Sequence, residues 1–160
     1  MAGLSFTPTG NLLAGGGDNQ VLGVIKLFNG TNWAELIVFK RPTIVQGVAV
    51  SNDGTFLLTT EDRPITGGNA QVAVWSTQTL SLNGTLPITG TVNALYEIII
   101  SDNTFYVAAA GNSKAYSWQR SSTAAPFTEN PAIDSGIDNI ALSPKGGMLL
   151  VIPVGNNQIA

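Results

Sequence analysis

A polar turn opened by Ser or Thr, with apolar residues on both sides, occurs four times along the chain and constrains its fold more than any other feature. The copies run 4–13, 48–58, 98–107 and 140–150, and the residues that open the turns are Thr7, Ser51, Ser101 and Ser143. These lie 44, 50 and 42 residues apart, a loose period of about 45 that is the signature of a repeat architecture. A second landmark keeps the same period, a short alternating segment that closes on an aromatic: Val24 to Phe28, Val72 to Trp75, and Ala115 to Trp118. Phe28, Trp75 and Trp118 are 47 and 43 residues apart. A turn and a further apolar segment follow each one: Trp33 to Phe39, Leu80 to Leu86, and the stretch around Phe127. Each unit therefore predicts four strands joined by turns, because β-branched and aromatic residues alternate with small or polar ones between Gly, Pro, Asn and Asp. The one helical candidate, Val107 to Gly111, is too short and ends in Gly-Asn. Gly15-Gly16-Gly17 reads as the turn between a second and a third strand, and Lys40-Arg41 before Pro42 as a linker between units.

Composition narrows the function classes. Only 11% of the 160 residues are charged, less than half of the roughly 25% usual in soluble domains, so the polar surface must come from Asn, Gln, Ser, Thr and Gly. The sequence contains neither Cys nor His, which removes disulfides, Ser-His-Asp or Cys-His catalysis and the usual zinc sites. Seven Lys and Arg against ten Asp and Glu, a net charge of -3, argue against nucleic acid as a partner. Apolar runs such as Ile98 to Ile100 and Met148 to Pro153 are far shorter than the roughly 18 residues of a membrane span. Met1 to Leu4 carries no basic targeting region. The sequons at Asn29 and Asn83 arise too easily by chance to place the chain in a compartment, and neither a cofactor nor a metal is implied.

Val48-Ala49-Val50-Ser51-Asn52-Asp53-Gly54-Thr55-Phe56-Leu57-Leu58, followed by Gln71-Val72-Ala73-Val74-Trp75, resembles a blade of the WD-repeat and lactonase-like β-propellers, and the likeness extends over nearly the whole chain. That resemblance implies an innermost strand lining a central channel. It also implies an Asp53-Gly54 turn between strands one and two, and blade-packing roles for Phe28, Trp75 and Trp118. The expected fold is all-β, a propeller-like array of about three and a half four-stranded antiparallel blades in one domain, with units near 4–43, 44–90, 91–136 and an incomplete 137–160. No Gly-His pair exists, and Asn29, Ser76 and Gln119 stand where a Trp-Asp pair would place its Asp. The hydrogen-bonded network of true WD repeats is therefore expected to be missing. The last unit reaches only the start of a third strand, Gln158-Ile159-Ala160. Closure by a second copy, by another structural protein or by the rest of a longer chain is expected, because open sheet edges and blade faces are rarely left bare.

The candidate chemistry lies in turns. Asp18, Asp53, Glu61, Asp62, Asp102, Asp134 and Asp138 all sit in or beside them. Glu61-Asp62 next to Arg63 is the pair that could serve a sugar-cleaving site, which needs two carboxyls about 5–10 Å apart. Ser51 to Phe56 is similar to the Asp-box of sialidase propellers, yet no spacing gathers Arg41, Arg63, Arg120 and the tyrosines. No Asp-x-Asp-x-Asp loop supports calcium, and Gly15-Gly16-Gly17 lacks the helix and the Lys of a phosphate loop. Trp33 stands outside the aromatic register and, with Glu61 and Asp62, completes the candidate binding residues. These features describe a non-catalytic structural or interaction module. Their texture is similar to that of bacteriophage virion proteins of the capsid-decorating, tail or fibre kind, which favours a virion or extracellular surface. The alternatives are a carbohydrate-binding propeller of the lectin type and a propeller hydrolase.

Overall fold

The alternating segments form strands throughout. The computed structural model describes residues 3–6, 10, 12–18, 22–29, 31–64, 66–79, 81–101, 106–122, 125–134, 136–145 and 149–153. These residues contain no helix, and hence none long and apolar enough to cross a membrane. Strands β1 (Gly3–Phe6), β2 (Leu12–Asp18), β3 (Leu22–Phe28) and β4 (Glu35–Arg41) make the first sheet in chain order. The second sheet repeats the plan with β5 (Val45–Val50), β6 (Phe56–Glu61), β7 (Gln71–Ser76) and β8 (Leu82–Thr85). In the third, β9 (Glu97–Ile100), β10 (Tyr106–Gly111) and β11 (Lys114–Gln119) are followed by two short pieces, β12 (Thr128–Glu129) and β13 (Ile133–Asp134), both paired with β11. The fourth sheet holds β14 (Ile137–Leu142) and β15 (Leu149–Pro153). All pairings are antiparallel, and the first strands of successive sheets, β1, β5, β9 and β14, lie side by side.

Alternation along single strands explains the packing, since neighbouring residues of a strand enter different cores. Val48, Val50, Leu57, Ala73 and Trp75 of the second sheet pack with Ile25 of the first. Ala49, Phe56, Leu58 and Val72, one residue out of step, pack with Ile98, Val107, Tyr116 and Trp118 of the third. Ala108, Ala110 and Ala115 then meet Ile137 and Ile140 of the fourth. The second and third sheets are thus covered on both faces, which accounts for the near-continuous apolar reading of β5 and β10 and for the scarcity of charge.

The turns owe their sequence to hydrogen bonding. The Ser51 hydroxyl accepts from Phe56 N–H at 3.0 Å and the Ser51 carbonyl from Gly54 N–H at 2.8 Å. Ser101 does the same for Tyr106 N–H at 3.0 Å, so the buried serines of the two turns do one job. Gly54 takes φ +68°, the left-handed region that suits glycine. Asp53 Oδ1 accepts from Thr55 N–H at 3.0 Å and Thr55 Oγ1–H at 2.7 Å. Burial pushes the Asp53 carboxyl up, but the hydrogen bonds from Ser51 and Thr55 and the Arg120 charge outweigh it and hold the group below its ordinary value.

Several expectations need correction. Gly15-Gly16-Gly17 is no turn: it lies inside β2, where Gly15 pairs with Gly3 on one side and the run pairs with Ile25, Val24 and Gly23 on the other. Ladder hydrogen bonding offsets the poor strand propensity of glycine. Lys40 and Arg41 end β4 instead of linking units, because Arg41 finds a carboxylate in the next sheet. Trp33 precedes its strand and does not begin it, and the segment near Phe127 breaks into β12 and β13. The expected third strand at Gln158-Ile159-Ala160 lies outside the described residues, as do Thr7, Asp102 and Met148.

Candidate functional site

Among the described residues, the first sheet is covered on one face only. On β1, the Ser5 hydroxyl accepts from Val50 N–H at 3.2 Å and so faces the second sheet. Leu4 and Phe6, on either side of it, face away and are 66% and 65% exposed. Register extends each of them across the sheet: Leu4, Ala14, Lys26 and Val38 form one row, and Phe6, Leu12, Phe28 and Glu35 the next. Val38 is exposed, Phe28 is half-buried, and Lys26 and Glu35 pair across the rows at 2.7 Å. The described side chains of these rows, Leu4, Phe6, Phe28 and Val38 with the Lys26–Glu35 pair, thus form an apolar strip with one ion pair.

The repeat supplies an internal comparison. Phe28, Trp75 and Trp118 occupy one position, near the end of the third strand of successive sheets. Trp75 is 4% and Trp118 0% exposed because the preceding sheet covers each of them. Among the described residues no such sheet lies over Phe28. The repeat places Phe28 in this register, whereas Leu4, Phe6 and Val38 are not singled out in the sequence, because their exposure depends on which sheet covers them.

The seam between the first and second sheets holds a buried polar network. Glu61 is fully buried, and its Oε1 accepts from Arg41 Nε at 2.9 Å and from Thr59 Oγ1 at 3.2 Å. Its Oε2 accepts from Arg41 Nη2 at 3.0 Å, Gln71 Nε2 at 2.8 Å and Thr43 Oγ1 at 3.3 Å. Trp75 Nε1 donates to Thr59 Oγ1 at 3.0 Å, and the Arg41 guanidinium stacks 4.6 Å from the centre of the Trp75 ring. The network at this seam is of another kind than the WD-repeat one expected to be missing. Its residues differ from those of WD repeats, but an indole, a hydroxyl, a carboxylate and a cation are linked in series across the seam.

The other candidates are placed apart. Asp62 accepts from Gln46 Nε2 at 2.9 Å, while Arg63 donates to Asn93 Oδ1 at 3.3 Å, so Glu61 and Asp62 have separate partners. Asp62 Oδ1 and Thr60 Oγ1 are buried with no hydrogen-bond partner. Trp33 is 59% exposed at φ +59°, a conformation a bulky residue rarely takes. It is held there by its N–H donating to Asn29 O at 2.8 Å and by Asn29 Oδ1 accepting from Thr31 N–H at 2.8 Å. Among the described residues no group of three or more Asp and Glu side chains could hold a metal ion.

No protein-family model and no curated protein matches the chain. Among solved structures, a chain in a crystal structure of a mitotic checkpoint complex superposes with a TM-score of 0.68 over 94% of this chain, at 19% identity. The match covers 45% of that chain, so the present chain spans less than half of its neighbour's length. Four consecutive antiparallel sheets with adjacent first strands, together with this likeness, show an all-β, β-propeller-like fold.

Proposed function

We propose that the chain is a non-catalytic interaction module whose uncovered first-sheet face takes another propeller blade, supplied by a second copy. The observation that carries this reading is the exposure of Leu4 and Phe6 beside a half-buried Phe28, at a position where Trp75 and Trp118 are sealed by a preceding sheet. The fourth sheet offers the complementary surface. Ile137 and Ile140 pack on the third sheet, while Asn139 and Ala141 are exposed on the other side, in register with Ile152 and Leu150. In each internal seam a following face meets a preceding face, so the two faces left uncovered among the described residues are one of each kind and fit head to tail. Two copies would together supply a length close to that of the solved neighbour. The carboxylates that acid–base chemistry would need are already tied up, Glu61 by Arg41 and Asp62 by Gln46. The composition that resembles bacteriophage virion proteins suits such a scaffold.

Light scattering tests the reading. A stable species at twice 16.6 kDa is expected. Leu4→Asp with Phe6→Asp should give a folded monomer and raise Kd at least about a hundredfold, since each side chain contributes about 2 kcal/mol when covered. A parent chain that stays monomeric at about 50 μM, where a useful self-affinity would show, overturns self-association and leaves the missing blade to another chain.

A further inference from the structure

Asn is followed by Gly at two places, Asn29-Gly30 and Asn83-Gly84. In such a pair the side-chain amide is open to attack by the next backbone nitrogen, because glycine sets no Cβ in the way of ring closure. The fold treats the two pairs differently. Asn29 Oδ1 accepts from Thr31 N–H at 2.8 Å and from Asn32 N–H at 3.3 Å, so its amide is fixed against its own turn. Asn83 lies in β8, the outer strand of the second sheet, where all four residues are exposed. Val74 pairs with Gly84 and Trp75 with Leu82, which leaves Asn83 as the extra residue of a β-bulge, opposite no residue of β7. Gly84 takes φ +145°, and a Cβ placed there would meet nothing within 4 Å. Three paired positions hold β8 to β7 at an edge of the sheet, and so short and exposed a ladder opens locally at little cost.

We propose that Asn83 is a site of spontaneous modification, at which the Gly84 amide nitrogen attacks the side-chain carbonyl carbon of Asn83. The new N–C bond closes a succinimide ring, the Cγ–Nδ2 bond breaks, and the amide group leaves as ammonia with the proton from the Gly84 nitrogen. Solvent water then adds to either ring carbonyl and cleaves its bond to the ring nitrogen, which takes back a proton. The product is aspartate or isoaspartate, and nothing is oxidised or reduced. Both products add a negative charge to a chain whose net charge is -3. Isoaspartate also routes the main chain through the side-chain methylene, one carbon longer, just ahead of Leu86. That residue is 6% exposed in the core shared by the second and third sheets, and its N–H donates to Val72 O at 2.9 Å. The longer backbone therefore disturbs a core position as well as the edge.

The test holds the folded full chain in mildly alkaline buffer made with heavy-oxygen water, beside the same chain unfolded in guanidinium, and maps both by peptide mass spectrometry. Unfolded, the two Asn-Gly pairs should take up heavy oxygen at similar rates. Folded, position 83 should react within about threefold of its unfolded rate and position 29 at least about tenfold below its own. An isoaspartyl methyltransferase used as a reagent should label the aged chain at position 83. Asn83→Gln, which would need a larger ring, should remove that label, and after equal ageing it should keep a higher urea midpoint than the parent. Reaction at 83 as slow as at 29 in the folded chain, or no methyl label at 83, overturns the site. Equal midpoints of the aged parent and the aged variant overturn the effect on Leu86.

Discussion

Replacing Arg41 by Ala should be among the most destabilising changes in the chain. The substitution leaves the Glu61 carboxylate fully buried with only Thr43, Thr59 and Gln71 as donors. Removing one partner of a buried pair costs about 3–5 kcal/mol, because the remaining charge is uncompensated. Arg41 is 18% exposed on its side chain, so the lower end of that range applies, and loss of the stack on Trp75 adds about 0.5–1 kcal/mol. For a chain of this size the melting temperature should fall by about 10 °C. Urea unfolding, followed by tryptophan fluorescence and by circular dichroism, measures the loss, and coincident curves establish that two states suffice. A double variant, Arg41→Met with Glu61→Leu, should recover most of the stability, since an apolar replacement removes both charges from the seam. A loss below about 1 kcal/mol, the value for an exposed ion pair, would refute the reasoning, as would a double variant no more stable than Arg41→Ala.

Two further outcomes follow from geometry. A Cβ at Gly111 would run into the Ala94 carbonyl oxygen, and one at Gly23 into the Thr43 carbonyl oxygen. Gly111→Ala and Gly23→Ala should therefore each cost about 2 kcal/mol or more, read as a lower urea midpoint, and an unchanged midpoint would show that the backbone yields without cost. Asp53 titrates below its ordinary value of 3.8 in the folded chain. Its stabilising contribution is accordingly complete at neutral pH and is lost as pH falls through that range. Asp53→Asn should flatten this part of the acid dependence of the urea midpoint, and parallel curves for parent and variant would contradict the assignment.

The parts of the fold legible in the sequence were those set by local chemistry. Ser51 and Ser101 recur because a hydroxyl must accept the N–H that follows the turn, and Trp75 and Trp118 recur because each seam needs a large side chain. What could not be read depends on partners distant in sequence. Arg41 reads as part of a linker until its carboxylate, 20 residues away, is known. Glu61 and Asp62 read as an acidic pair beside Arg63, but Glu61 ends β6 inside the seam while Asp62 lies beyond it with Gln46 as partner. The glycine run at 15–17 reads as a turn because intrinsic propensity disfavours it in a strand, and only the ladders to β1 and β3 reverse that preference.

An interaction role is supported most strongly by the chain's own internal repetition. A surface strip of leucine, phenylalanine and valine proves little alone, since exposed apolar residues are common on folded proteins. Here the same structural position is sampled three times under one fold, and its exposure follows a single variable, the presence or absence of a preceding sheet. Where that sheet is present, the residue is a buried tryptophan with its indole N–H satisfied, by Thr59 for Trp75 and by the Pro87 carbonyl for Trp118. Where it is absent, the residue is still a large aromatic, and its neighbours Leu4 and Phe6 are still apolar. A face shaped for water would carry polar residues at these positions, as the chain does at its turns with Asn52, Asp53 and Thr55. Among the described residues the first sheet keeps the chemistry of a seam without the second half of one, and that mismatch is what a joining blade would resolve.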